Sequence, residues 1–171
     1  MTVEQFRRLP EEGASYYELR HGEPVQMTRP KFKHHRIQRK LRIVLQTAAG
    51  DSGIVETEVA FRPVPEYELR VADVAYVSRE RWDGIDPEDN LMGAPDLVIE
   101  VLSPSNTAAE LYDKEKLCLE HGAREFWVVD PVLRQVKVST PDAITTTYRA
   151  GQSIPLRVVG TGGIPVDGIF V

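Results

Sequence analysis

The sequence predicts an α/β (α+β) fold with a central mixed β-sheet flanked by helices. Residues 96–129 have a strand–helix–strand pattern, which is a βαβ unit with parallel strands and a right-handed crossover. Residues 31–49 carry apolar side chains at the i, i+4, i+7, i+8 spacing of one long amphipathic helix. Two β-rich runs at 54–63 and 69–77 are joined by a proline-containing turn. A length of 171 residues and 42% apolar content fit a single domain over 1–171.

Local signals predict the other elements along the chain. Thr2 and Gln5 form a capping box that opens a short helix. Glycine and proline mark the turns and breaks. In chain order, these signals predict a helix that ends before Pro10, a turn at 11–13, an N-terminal hairpin of 16–19 with 24–27, a loop with a short helical piece at 79–94, and an antiparallel pair at 134–139 and 144–149.

The charge of the chain is unevenly distributed. The net charge is −5, yet residues 29–42 contain seven Lys or Arg and no acid, which leaves 14 basic against 26 acidic residues elsewhere. A basic stripe on an acidic protein fits phosphate binding at one face. Charge alone equally allows a solvated helix face.

Composition also bounds the class of protein. No apolar run approaches the ~18 residues of a membrane span, and the N-terminus lacks the apolar region of a signal peptide. Cys118 is the only cysteine, which excludes a disulfide framework and a cysteine-rich zinc site. We therefore expect a cytoplasmic protein without a membrane partner.

Two acids lie inside apolar strands. Asp73 interrupts the run 71–77 and Glu100 interrupts the run 97–102. A buried, ionised carboxylate is costly unless a positive charge or a metal compensates it. If the strands are neighbours, the two acids can approach each other and hold Mg²⁺ or Mn²⁺, which prefer oxygen ligands. The alternative is that the acids lie at strand ends and are solvated or paired with arginine.

A lysine near such a metal would favour phosphodiester hydrolysis by stabilising developing charge. The helix after Glu100 offers Lys114 and Lys116, which flank its apolar stripe on opposite sides. Helical periodicity therefore cannot choose between them, and either could be an ordinary surface lysine.

Four parts of the sequence carry a family resemblance. They are the runs 17–23 (YELRHGE), His34, 94–105 (APDLVIEVLSPS) and 122–130 (GAREFWVVD). In this order they resemble the motifs of a bacterial family of restriction-endonuclease-like proteins in the PD-(D/E)XK nuclease superfamily. The resemblance covers nearly the whole chain and implies a restriction-endonuclease-like core with a metal site at the edge of the sheet.

The resemblance implies a role for several residues of this site. Asp73 matches the "PD" acid, with Ala72 where proline is usual, and Glu100 matches the acid of the (D/E)XK element. By analogy with the superfamily, the backbone carbonyl of Val101 is a further ligand for Mg²⁺ or Mn²⁺. Glu18 and His34 also match family positions and are candidates for a supporting role.

The lysine of the (D/E)XK element is missing, because Leu102 stands in its place. The family resembles superfamily members in which this lysine has moved to the next helix. The usual spacing, eight residues before the glycine at 122, selects Lys114. Tyrosine is usual four residues after that lysine, and Cys118 stands there instead.

Together these features predict a divalent-metal-dependent DNA endonuclease that hydrolyses phosphodiester bonds. RNA is not excluded as a substrate, and cutting both strands of a duplex favours a homodimer. The alternatives are a non-catalytic nucleic-acid-binding or protein-interaction module that retains the nuclease fold, and a hydrolase of another phosphate ester. The residues expected to contact nucleic acid are Lys31, Lys33, Arg36, Arg39 and Lys40.

Overall fold

The computed structural model describes residues 1–10 and 16–170, so the turn predicted at 11–13 lies outside the described residues. Helices and strands alternate irregularly along the chain. Their order is α1 (Val3–Arg7), β1 (Tyr16–Arg20), β2 (Glu23–Met27), α2 (Phe32–Ala49), β3 (Gly53–Arg62), β4 (Arg70–Ser78), α3 (Arg79–Asp83), β5 (Leu91–Met92), β6 (Leu97–Val101), α4 (Ala108–Glu120), β7 (Glu125–Asp130), β8 (Gln135–Ser139), β9 (Thr145–Tyr148), β10 (Ser153–Pro155), β11 (Gly163–Pro165) and α5 (Val166–Ile169).

A seven-stranded mixed sheet forms the centre of the fold, with the strand order β5-β3-β4-β6-β7-β8-β9. Strands β6 and β7 are parallel and joined by α4, which confirms the predicted βαβ unit. The β3–β5 pair is also parallel, and the other neighbours in this sheet are antiparallel. The predicted mixed sheet with flanking helices is therefore confirmed.

Both faces of the sheet carry an apolar layer. In β6, Leu97 and Ile99 pack into the layer that contains Leu41 of α2, whereas Val98 packs with Cys118 of α4. This alternation follows from the two-residue period of a strand. The long basic helix and the crossover helix thus lie on opposite faces, and both can reach the same end of β6. No helix in the described residues is both long and apolar enough to cross a membrane.

Sequence analysis missed the shortest elements. Strand β5 lies in the segment predicted as a loop with a short helix, and β10, β11 and α5 were not predicted. These elements contain two to four residues, too few to establish a hydrophobic period. Strand β5 pairs with the distant β3, and β10 pairs with β11.

The N-terminal hairpin is set against the sheet by its turn and by one bridge. His21 and Gly22 both have positive φ, 50° and 77°, as a two-residue turn of the I′ type requires. Leu19 of β1 bridges to Leu69, just before β4. Glu18 is thereby carried next to Val71 of β4.

An ionic cluster around the buried Arg70 fixes α4 against the hairpin and β4. Arg70 is only 1% exposed and donates to Glu68 at 2.6 Å and to Asp113 of α4 at 2.9 Å. His21 lies 2.8 Å from both of the same acids. Removing one partner of such a cluster would leave a buried charge uncompensated. The cluster therefore fixes the turn of α4 that contains Lys114.

A second ionic contact holds α1 to the body of the protein. Asp89 accepts hydrogen bonds from Arg7 at 2.5 Å and from Arg62 at 3.0 Å. Although partial burial opposes the effect, these bonds and the N–H of Asn90 lower the pKa of Asp89 from 3.8 to about 2. The carboxylate therefore contributes stability above the unfolded-state pKa and loses it as the pH falls through the folded-state pKa.

We expect Asp89→Asn to lower the free energy of unfolding by about 1 kcal/mol at pH 7, allowing for solvent screening. The difference from the parent protein should shrink between about pH 4 and pH 2, where the carboxyl becomes protonated in both states. Urea unfolding at several pH values measures it. The exposed Asp83→Asn serves as the control, and a pH-independent loss in Asp89→Asn would contradict this account.

Candidate functional site

A cleft of about 740 Å³ opens where the first half of β4 meets the C-terminal end of β6. The hairpin, the start of α2, the loop between β6 and α4 and the β7–β8 turn surround it, and Lys114 reaches it from the middle of α4. Its polar lining includes Glu18, His34, Asp73, Glu100, Val101 and Lys114. The structure thus brings the predicted site residues of five separate chain segments to one cavity.

The β4–β6 ladder ends at the two acids. The last antiparallel pair is Val74 with Ile99, and one more residue in this register sets Asp73 opposite Glu100. At this point the Asp73 carboxylate replaces a backbone acceptor, because its Oδ2 accepts the N–H of Val101 at 2.7 Å. The strands therefore open at the acids, with the backbone donor still satisfied.

The β3–β4 ladder is also interrupted at Asp73. The register would set Glu58 opposite Asp73, but this pair is missing and Glu58 has a φ of 53°. The Asp73 carbonyl instead accepts a hydrogen bond from Gln38 Nε2 at 3.1 Å, and the same nitrogen donates to Glu58 Oε1 at 2.5 Å. A left-handed conformation in a residue other than glycine costs on the order of 1 kcal/mol. The buried amide of Gln38 stabilises this break in the sheet.

Lys114, and not Lys116, points into the cleft. Lys114 is 6% exposed, and its Nζ donates to the carbonyl of Val71 at 2.5 Å. The same atom lies 2.8 Å from Glu100 Oε1 and 3.5 Å from Glu18 Oε1. The side chain of Lys116 is 76% exposed. The lysine that periodicity could not select is therefore distinguished by its position.

Glu18 is the hairpin's contribution to the site. It is fully buried and accepts the N–H of Val71 at 2.8 Å and the Nε of Arg20 at 2.9 Å. Burial alone would raise the pKa of Glu18, but Lys114, Val71 and Arg20 lower it. Glu18 therefore remains a carboxylate and orients the ammonium group of Lys114.

The charges of the site are unequally matched. Burial raises the pKa of Glu100, and the negative charges of Asp73 and Glu18 add to the effect while Lys114 opposes it. For Lys114, burial is outweighed by Glu100, Glu18 and Asp73, which raise its pKa. The ammonium group of Lys114 is thus shared by more than one carboxylate. A further cation would favour the ionised form of Glu100.

His34 reaches the same point from the first turn of α2. Its Nε2 lies 3.0 Å from the carbonyl oxygen of Val101 and 3.2 Å from Asp73 Oδ2. Burial opposes protonation, but the contact with Asp73 prevails and raises the pKa of His34. Nδ1 is buried and has no hydrogen-bond partner among residues 1–10 and 16–170.

The predicted nucleic-acid-binding residues divide into two groups. Lys31 and Lys33 line the cleft at the start of α2. Arg36, Arg39 and Lys40 lie further along the helix, outside the lining of this cleft. The basic stripe therefore meets the cleft only at its N-terminal end.

Sequence reasoning missed two residues that shape the site. Gln38 lies three and seven residues before Leu41 and Leu45 on the apolar stripe of α2, and it is 1% exposed. A polar residue on an apolar stripe is a signal that could have identified it. Nothing local in the sequence marks Glu58, because its positive φ depends on the missing ladder contact.

The oxygen donors of the site fit a hard divalent cation. Asp73 and Glu100 supply carboxylates from adjacent strands, and His34 Nε2 lies within 3.2 Å of both the Val101 carbonyl oxygen and Asp73 Oδ2. Glu100 Oε1 is within 2.8 Å of Lys114 Nζ but has no aligned hydrogen-bond partner in the described part of the chain. No three His, Cys, Asp or Glu side chains of that part are gathered as a metal cluster. This is compatible with Mg²⁺, which usually takes only one or two carboxylates and keeps several waters.

We expect Gln38→Glu to lower the free energy of unfolding by about 3 kcal/mol at pH 7, because a donor is lost and a charge faces Asp73 and Glu58. The loss should shrink as the pH falls through the pKa of the new carboxyl, whose protonated form again donates. Urea unfolding at pH 7 and pH 4 measures both effects.

Gln46→Glu is the matched control on the same helix. The Gln46 amide also donates to two backbone carbonyls, at 3.1 and 3.2 Å, but bonds to no carboxylate. The free energy of unfolding of this variant should be lower than that of the parent by about 1 to 2 kcal/mol at pH 7. Equal losses with equal pH dependence in the two variants would contradict the role assigned to Gln38.

Comparison with known proteins places this geometry in a family. The model of the Uma2 family, described as "Putative restriction endonuclease", matches residues 3–163. A crystal structure described as "a putative nuclease belonging to DUF820 from Anabaena variabilis ATCC 29413" has a TM-score of 0.85 and 22% identity, with 99% of this chain and 97% of that chain covered. At this identity the likeness establishes the fold. No curated protein matches the chain.

The family match and the fold together confirm the resemblance drawn from the sequence motifs and support a nuclease role. Restriction-endonuclease-like nucleases generally use divalent metals, which agrees with the donor set of the cleft. Because the match spans nearly the whole length, the chain belongs to the Uma2 family.

Proposed function

We propose that this protein is a Mg²⁺- or Mn²⁺-dependent endonuclease that hydrolyses phosphodiester bonds in DNA. The observation that carries the proposal is the convergence of Asp73, Glu100 and Lys114 at the point where the β4–β6 ladder opens. Two acids and a lysine at one sheet edge can hold a cation and stabilise a charged transition state. Family membership supports the nuclease class.

Asp73, Glu100 and the carbonyl of Val101 would hold the cation. Such an ion, when bound, polarises the scissile phosphate and lowers the pKa of a water molecule. The Val101 N–H already holds the Asp73 carboxylate in place, and Asp73 lines the cleft. Glu100, which pairs with the ammonium of Lys114, would supply the second carboxylate.

Lys114 acts as a fixed positive charge. Although burial opposes the charge, Glu100, Glu18 and Asp73 raise its pKa and so favour the protonated ammonium. Glu18 and the Val71 carbonyl hold it in place. From this position it can orient the attacking water and stabilise negative charge on the phosphate.

The start of α2 would contact the substrate backbone. Lys31 and Lys33 are exposed and line the cleft, so they can bind phosphates on either side of the scissile bond. A polymeric substrate fits this arrangement better than a small phosphate ester, because the basic residues extend along the helix. Cutting both strands of a duplex usually needs two such sites, which favours a homodimer.

We expect the parent protein to nick supercoiled plasmid with Mg²⁺ or Mn²⁺, and both Glu100→Gln and Lys114→Met to reduce the rate by at least about 100-fold. The first change removes a charged ligand, and the second removes the fixed cation. Gel separation of supercoiled and nicked plasmid measures the rate, and circular dichroism checks folding.

Lys116→Met is the matched control, because this lysine lies on the same helix with an exposed side chain. Its rate should stay within twofold of the parent. Equal cutting by all four proteins would indicate a contaminating nuclease and remove the support for catalysis. DNA binding without cutting under either metal would favour the non-catalytic module.

We expect Lys31→Gln with Lys33→Gln to weaken metal-free DNA binding and to reduce the slope of log K against log[salt] by about 2, since each lysine releases about one counterion. Arg39→Gln with Lys40→Gln, which removes the same charge outside the cleft, should change the slope less. Fluorescence anisotropy at several salt concentrations compares them. An equal change in slope for the two double variants would contradict the inference that the end of α2 at the cleft makes the main phosphate contacts.

A further inference from the structure

One ring nitrogen of His34 lies close to two oxygen atoms of the candidate site. Its Nε2 is 3.0 Å from the carbonyl oxygen of Val101 and 3.2 Å from Asp73 Oδ2. Both oxygens belong to groups that are proposed above as ligands of the cation. One ring nitrogen therefore faces two proposed ligand atoms at nearly equal distances.

These separations match those between neighbouring ligands of an octahedral ion. With metal–ligand bonds of about 2.1 Å, adjacent ligand atoms lie about 3.0 Å apart, because they subtend a right angle at the metal. Hydrogen bonds have similar lengths, so a proton on Nε2 can occupy the position when no cation is bound. The distances therefore allow a proton and a cation to alternate at one position.

We propose that His34 is a ligand of the catalytic cation, through Nε2, together with the Asp73 carboxylate and the Val101 carbonyl. This inference rests on the proposed metal-dependent function. Here His34 Nε2 lies near one carboxylate oxygen and one backbone oxygen, and Glu100 would add a second carboxylate.

The fold holds the imidazole in place for this role. His34 lies in the first turn of α2, where its N–H bonds to the Lys31 carbonyl at 3.0 Å, and its side chain is only 11% exposed. One turn later, Gln38 fixes the Asp73 backbone from the same helix. Helix α2 therefore positions both the nitrogen ligand and the carboxylate that it faces.

A nitrogen ligand changes which cation the site prefers. Imidazole is a softer donor than carboxylate, carbonyl or water, the ligands that suit Mg²⁺. A mixed nitrogen and oxygen set therefore favours Mn²⁺ over Mg²⁺. We infer that the site binds Mn²⁺ more tightly than Mg²⁺ and that His34 accounts for the difference.

Electron paramagnetic resonance with Mn²⁺ as the probe tests the proposal without measuring activity. The spin-echo signal of Mn²⁺ bound to the parent protein should contain modulation from a directly bound nitrogen. Labelling only the histidines with ¹⁵N should replace the ¹⁴N modulation with that of ¹⁵N. This measurement needs no variant and is therefore independent of folding defects.

Variants then identify the histidine. His34→Asn should abolish the nitrogen modulation and weaken Mn²⁺ binding at least tenfold, while Mg²⁺ binding should change less than threefold. The control His121→Asn removes an exposed histidine outside the cleft and should change neither result.

The outcomes separate this inference from the proposed function. Mn²⁺ binding that depends on Glu100 but shows no histidine nitrogen would overturn the role of His34 and leave the metal site standing. A failure of the parent protein to bind Mn²⁺ would overturn both. Nitrogen modulation that survives in His34→Asn would assign the ligand to another histidine and also overturn the proposal.

Discussion

The break in the sheet at Asp73 is the feature on which the rest of the site depends. A strand inside a sheet normally exchanges all its backbone hydrogen bonds with its neighbours, and an unpaired buried group is costly. Here two side chains take over those bonds. The Asp73 carboxylate accepts the Val101 N–H on one side, and the Gln38 amide donates to the Asp73 carbonyl on the other. The sheet can therefore open in its interior without leaving these backbone groups unsatisfied.

Opening the sheet concentrates negative charge, and the surrounding elements compensate it. Buried ion pairs rarely add net stability, but removing one partner is strongly destabilising, so they fix geometry more than they add free energy. The ammonium of Lys114 lies between Glu18 and Glu100. Arg70 and His21 hold Asp113, the residue before Lys114. The hairpin, β4 and α4 are thus joined by charge at the place where chemistry would need a rigid lysine.

The acids of the site could be located from the sequence, whereas the residues that hold them could not. Asp73 and Glu100 stand out because each interrupts an apolar strand, and strand alternation sets them on matching faces. Lys114 could be separated from Lys116 only through the family spacing, since both flank the helical stripe. The positive φ of Glu58 and the missing pair between Glu58 and Asp73 could not be predicted, because they go with a contact between α2 and the sheet. The overall sheet followed from local periodicity, and its two-residue edge strand β5 did not.

Only the N-terminal end of the basic stripe reaches the cleft, where its positive charge lies close to the acids of the site. A phosphate that approaches Asp73, Glu100 and Glu18 is repelled unless positive charge lies nearer to its path. The N-terminal end of α2, the positive end of its helix dipole, lies at the cleft beside exposed Lys31 and Lys33. Acids at the floor would then hold a cation while the helix start at the rim attracts the nucleic-acid backbone. The same helix turn carries His34, so the proposed substrate attraction and cation binding would both depend on one rigid element. The basic residues further along α2 would then contribute general electrostatic steering.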